Sequence, residues 1–118
     1  PWVVTGSDGG SGHPRKYGTF PRKYHKYVKQ DSVLDIGTFI KQSSSVTADI
    51  LQVPERGKLL EGYFADIIIF DPNTFEDKAT YNDAFQLAQG VKYSIINGEL
   101  SIDEGKYTGE RNGIVLRK

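Results

Sequence analysis

Apolar and polar positions along the chain change their period near residue 57, and that change divides the sequence into two unlike parts. Trp2, Val3 and Val4 form a short apolar run, expected as a strand, which stops at a segment too rich in glycine for regular structure, residues 5–12. Tyr24, Tyr27 and Val28 then recur at helical spacing and predict an amphipathic helix over 21–30, with Pro21 in its first turn and Thr19 placed to cap it. Ser32 is placed to cap a second helix whose apolar face is Val33, Ile36, Phe39 and Ile40. The serine run 43–45 breaks that helix. A short third helix is expected over 46–53, closed by Pro54 and a turn at Arg56-Gly57.

Beyond Gly57 the helical period is lost. Glu61-Gly62 reads as a turn, and Ala65 to Phe70 is a continuous apolar run ended by Asp71-Pro72, expected as a strand buried on both faces. Two further runs, 91–96 and 99–102, flank Asn97-Gly98, a pair that tolerates positive φ and suits a two-residue type I′ hairpin. Residues 73–90 are polar and weakly patterned, so they read as a long surface connection with one turn of helix near 83–87. Ile114-Val115-Leu116 is a candidate last strand, or a segment that packs on another domain. The fold class is therefore α+β: a strand, loop and two or three helices, then a small, mainly antiparallel sheet. The two parts need not form one compact unit.

Composition narrows the classes of function. A chain of 118 residues cannot close a barrel that needs roughly 250. Lysine plus arginine and aspartate plus glutamate both number 15, so no long-range field favours nucleic acid or an anionic membrane. The alternation of cations and aromatics over 16–29 therefore reads as a solvated helix face. With no cysteine, disulfides, zinc-thiolate clusters and thiol nucleophiles are excluded together. No apolar run approaches the ~20 residues of a membrane span, and cytoplasm is the default location. The sequence opens at Pro1 inside an apolar run and holds no methionine, which favours a fragment that continues something upstream.

Candidate chemistry is concentrated near the beginning. Gly6-Ser7-Asp8-Gly9 places a carboxylate just past an expected strand end, where α/β enzymes build their sites. Taken alone, Ser-Asp-Gly is more often an ordinary turn. Its neighbours are more specific: His13-Pro14-Arg15 and Gly18-Thr19-Phe20-Pro21-Arg22 complete the stretch SDGGSGHPRKYGTFPR. This stretch resembles the signature of the D-aminoacylase (N-acyl-D-amino-acid deacylase) family of metal-dependent amidohydrolases. Further segments match in the same order, among them 59–66 before an apolar strand, Phe70-Asp71-Pro72, the Asn97-Gly98 hairpin and 105–109. The 62–72 segment with its hairpin is shared widely among amidohydrolases, whereas His-Pro-Arg with Gly-Thr-Phe-Pro-Arg narrows the resemblance to this family. Departures are a short glycine loop, Ala84 and Ala88 where prolines are common, and Thr47, which replaces another.

The resemblance implies that residues 1–56 are the end of a TIM-like catalytic barrel and residues 57–118 part of a small β-sandwich. It implies Asp8 as the catalytic carboxylate beside one or two zinc ions of the complete protein, with a weaker second role as a metal ligand. A metal lowers the pKa of bound water towards ~7, and a nearby carboxylate takes its proton and passes it to the leaving amine. Arg15 corresponds to the substrate-binding arginine, and a planar guanidinium suits the free carboxylate of an N-acyl amino acid. His13 is a weaker substrate-binding candidate, since an isolated loop histidine is more often structural; zinc ligation by it would require partners that this sequence lacks. No zinc is expected on the fragment itself, which is expected to be inactive and to self-associate through apolar edges. Other readings are an amidohydrolase acting on cyclic amides or dipeptides, a non-catalytic anion-binding or interaction module, and a scaffold that joins a separately encoded barrel half. The glycine loop lacks the Gly-Lys-Ser/Thr ending of a phosphate-binding loop, which argues against nucleotide.

Overall fold

The computed structural model describes residues 3–117, and the order of its elements follows the change of period: helices first, then an antiparallel sheet. Helix α1 spans Arg15–Lys23 and continues without interruption as a π-helical segment, Tyr24–Gln30. Helices α2, Ile36–Ser43, and α3, Ser45–Leu51, follow, separated at Ser44 within the serine run. Strands β1, Ile67–Phe70, β2, Val91–Ile96, β3, Glu99–Asp103, and β4, Lys106–Tyr107, form one sheet in the order β1-β2-β3-β4. Every neighbouring pair is antiparallel.

Several expected boundaries move, each for a local reason. Helix α1 begins at Arg15, not Pro21; Pro21 lies inside it, and Thr19 donates its hydroxyl to the Arg15 carbonyl at 2.7 Å rather than capping a helix. Asp35, not Ser32, caps α2: its side chain accepts from the Thr38 amide at 2.9 Å and from the Thr38 hydroxyl at 2.6 Å. Of the face expected on α2, only Phe39 is buried, while Ile36 and Ile40 are exposed and Val33 lies before the helix. The strand expected at Trp2 to Val4 begins outside the described residues, and Val3 and Val4 have no strand pairing.

In the sheet, Asn97 and Gly98 both have positive φ, +53° and +85°, so the two-residue hairpin forms where the sequence places it. Asn97 does more than turn the chain. Its side-chain oxygen accepts from Arg56 at 2.5 Å, its side-chain amide donates to the Asn112 carbonyl at 2.6 Å, and its backbone amide donates to Asp66 at 2.8 Å. Arg56, largely buried, also pairs with Asp66 and lies 4.1 Å over the ring of Phe64. This knot ties the end of the helical part to the hairpin.

Strand β1 is not buried on both faces: Ile68 and Ile69, successive residues that point to opposite faces of the sheet, are both half exposed. Ile114, Val115 and Leu116 form no strand; Ile114 and Leu116 instead line an apolar hollow of about 460 Å³ with Leu51 and Phe64. Residues 73–90 are not merely a surface connection and contain no helical turn at 83–87. Phe75, Ala79 and Ala84 are buried, and Glu76 pairs with Gln89 in an isolated bridge.

The core explains why the segment folds inward. Tyr24 and Phe39 from the helices meet Phe70 and Phe75 from the β part, with ring centroids 5.4 Å apart for Tyr24 and Phe39 and 5.6 Å for Tyr24 and Phe75. Phe70 and Phe75 lie 4.5 Å apart. Tilted and edge-on aromatic packing of this kind joins the two halves through one cluster. Much apolar surface remains outside it, including Ile50, Leu51, Leu59, Leu60 and Val115, more than scattered exposed residues account for.

Candidate functional site

Asp8 occupies a left-handed backbone conformation, φ +43°, in the glycine-rich loop, a geometry aspartate tolerates better than most residues. The loop ends at Pro14, the N-cap of α1, which offers no side-chain acceptor to the first turn. His13 supplies one: its Nδ1 accepts the backbone N–H of Arg15 at 3.1 Å. Accepting at Nδ1 leaves the proton of the neutral ring on Nε2. Arg15, the first residue of α1, reaches back over the loop so that Nη2 lies 2.9 Å from Asp8 Oδ2. The three residues singled out in the sequence are thus neighbours in space.

A cleft of about 430 Å³ lies between α1 and the 77–81 segment. His13 and Arg15 line it together with Thr5, Lys23 and Tyr81, while the Asp8 carboxylate stands at the solvent side, its side chain 75% exposed. Lys23 Nζ donates to Thr5 Oγ1 at 2.6 Å and to Gln42 Oε1 at 2.8 Å, which ties the segment entering the glycine loop to α1 and α2. Partial burial among neutral partners pushes the Lys23 ammonium pKa down.

The far wall comes from the 73–90 segment. Asp77 pairs with Arg22 at 3.2 Å, and its Cβ sits so close to Gly18 that a methyl group there would lie 2.7 Å from it. Only glycine permits this approach of α1 to the wall. Tyr81 meets His13 edge-to-face at 5.2 Å, and Phe85 meets Tyr17 at 6.1 Å. Sequence reasoning missed Lys23, which it read as part of a solvated helix face, and Asp77 and Tyr81, because a polar stretch without periodicity carries no local sign of the surface it docks on. Tyr17 thus packs on the wall and Arg22 pairs with it.

The donor set for a metal is incomplete. Among the described residues no group of three or more histidine, aspartate or glutamate side chains converges, so Asp8 would be a single ligand. These residues by themselves do not fit a zinc centre. They do provide a hydrogen-bond acceptor for a proton, a fork for a carboxylate, and a wall. No helix among the described residues is long and apolar enough to cross a membrane.

No protein-family model matches the chain. Individual proteins do. It is 35% identical over 106 residues to a D-aminoacylase of Alcaligenes xylosoxydans xylosoxydans, covering 90% of this chain and 22% of that protein. It is 36% identical over 121 residues to an N-acyl-D-aspartate deacylase of the same organism, covering 98% of this chain and 24% of that protein. In structure it is similar to a D-aminoacylase described as defining a novel subset of amidohydrolases, with a TM-score of 0.90 and 33% identity over 98% of this chain and 25% of that one. It is also similar to the N-acyl-D-glutamate deacylase of Bordetella bronchiseptica, solved with zinc and a phosphonate mimic of the tetrahedral intermediate, with a TM-score of 0.80 and 29% identity over 90% of this chain and 22% of that one. The chain spans about a quarter of the length of the relatives it matches.

Proposed function

We propose that this chain, a homologue of the D-aminoacylases and N-acyl-D-amino-acid deacylases over about a quarter of their length, forms the carboxy-terminal part of an amidohydrolase that removes the acyl group from N-acyl-D-amino acids. In this reading residues 1–56 end the catalytic barrel and residues 57–118 belong to a β-sandwich beside it. The carrying observation is that Arg15 joins both other candidates, Asp8 through its guanidinium and His13 through its backbone N–H, beside a cleft that His13 and Arg15 line.

The chemistry divides between the two charged residues. Arg15 holds the free carboxylate of the N-acyl amino acid through its guanidinium fork, which exchanges Asp8 for substrate. Asp8, relieved of that contact, accepts a proton from the water that attacks the acyl carbon. The C–N bond then breaks, and the same carboxyl returns the proton to the leaving amine, giving a carboxylic acid and a free amino acid. His13 shapes the carboxylate pocket and is itself a weaker candidate for substrate contact. Zinc, present in the Bordetella bronchiseptica structure, would take its remaining ligands from the rest of the longer polypeptide.

The exposed apolar surface supports the same reading, because a larger partner surface would cover it. The isolated chain is accordingly proposed to be inactive and to self-associate. Light scattering at high concentration checks this, and a clean monomer contradicts it. The reading as a whole is tested by assaying the longer polypeptide on N-acyl-D-amino acids, their L-isomers, dipeptides and hydantoins. Selective hydrolysis of the D-series is the expected result, and turnover of hydantoins or dipeptides alone overturns it.

A further inference from the structure

The 73–90 segment contributes a residue whose contacts lead directly to the site. Tyr81 is 77% exposed, yet its ring stands edge-to-face on His13, with centroids 5.2 Å apart and planes at 75°. That imidazole accepts the backbone N–H of Arg15 at 3.1 Å, and Arg15 is the residue whose guanidinium reaches over the glycine loop. A ring held only by the two-residue bond to Arg15 retains rotamer freedom; a second aromatic against its face removes it. We propose that Tyr81 is a positioning residue for the carboxylate-binding Arg15, acting through the imidazole of His13.

Neighbouring contacts show that the wall carrying Tyr81 is fixed. Its backbone is anchored by buried Ala79 and Ala84 on either side. Asp77 bonds Arg22 at 3.2 Å and packs on Gly18, so the same wall grips α1 one and two turns beyond Arg15. The Tyr17 and Phe85 rings form a second edge-to-face contact, with centroids 6.1 Å apart. Tyr81 therefore sits on a part of the fold able to restrain His13, and the loop itself, with its run of glycines, is not. The contact uses the ring of Tyr81, and its hydroxyl has no hydrogen-bond partner among the described residues.

This inference rests on the reading of Arg15 given above, and the test separates the two. In the longer polypeptide, Tyr81→Ala is expected to raise KM for an N-acyl-D-amino acid about three- to tenfold with kcat nearly unchanged. Tyr81→Leu, which keeps apolar bulk, is expected to do the same, and Tyr81→Phe to restore the wild-type KM. With the corresponding carboxamide, which offers Arg15 no carboxylate, the substitutions are expected to leave KM unchanged. In a His13→Ala background the effect of Tyr81→Ala should vanish. An active enzyme in which Tyr81→Ala and Tyr81→Leu leave KM unaltered, or shift acid and carboxamide alike, overturns the positioning role. A wild-type polypeptide without deacylase activity overturns the functional reading instead.

Discussion

Arg15 Nη2 lies 2.9 Å from Asp8 Oδ2, so the residue suited to bind a substrate carboxylate is occupied by the residue suited to move a proton. Their side chains are 43% and 75% exposed. An ion pair so open to solvent contributes about 0–1 kcal/mol, little enough for a substrate carboxylate to displace it. The pairing therefore holds Arg15 over the loop and leaves it exchangeable.

Removing the fork should weaken binding more than chemistry. A hydrogen bond to a charged group is worth about 1.5–3 kcal/mol, so Arg15→Ala in the longer polypeptide is expected to raise KM for N-acyl-D-amino acids roughly 10- to 100-fold. Arg15→Lys should fall between, because an ammonium keeps the charge and loses the fork. Steady-state kinetics on the three proteins check the order.

Asn97 combines a backbone role with a side-chain role, and substitution separates them. Asn97→Gly keeps the positive φ but removes the acceptor for Arg56 and the donor to the Asn112 carbonyl. Leaving the largely buried Arg56 short of a partner is expected to cost about 1–3 kcal/mol. Asn97→Ala should cost more, since it adds strain at φ +53°. Denaturant unfolding of both variants measures the difference.

The cap of α2 makes stability depend on acid. Hydrogen bonds from the Thr38 side chain and then from the Thr38 amide hold the Asp35 carboxyl below its ordinary pKa. A depressed folded-state pKa gives stability that is present above the unfolded value, ~4, and lost as pH falls through the folded one. Asp35→Ala is expected to lower the melting temperature at neutral pH and to flatten its decline below pH ~4. Melting curves across that range show it, and an unchanged acid limb would contradict the assignment of the cap.

Much of this architecture is legible in the amino-acid sequence wherever a local rule decides it. The Asn97-Gly98 turn fixes its hairpin because few residue pairs accept two positive φ angles, and the serines at 43–45 separate α2 from α3. Glu104-Gly105 is a second positive-φ pair, and it brings β4 beside β3 although the expectation ended at residue 102. Tertiary contact decides the rest. Pro21 signals a helix start, but the bond from Arg15 to His13 starts α1 earlier and leaves the proline inside. The 73–90 segment has no period because it does not bury one regular face: Phe75 packs in the aromatic cluster, whereas Ala79 lines the cleft beside α1. Asp8, His13 and Arg15 were identifiable from their motif, whereas Tyr81 became visible only through its contact with His13.

Asp8 is proposed to move the proton in acyl transfer to water. Comparing Asp8→Asn with the wild type in the longer, metal-loaded polypeptide on an N-acyl-D-amino acid tests it most directly, because asparagine keeps the shape and cannot accept the proton. A loss of roughly 10²- to 10⁴-fold in kcat with KM little changed is the expected result. A variant that retains wild-type kcat would contradict the account.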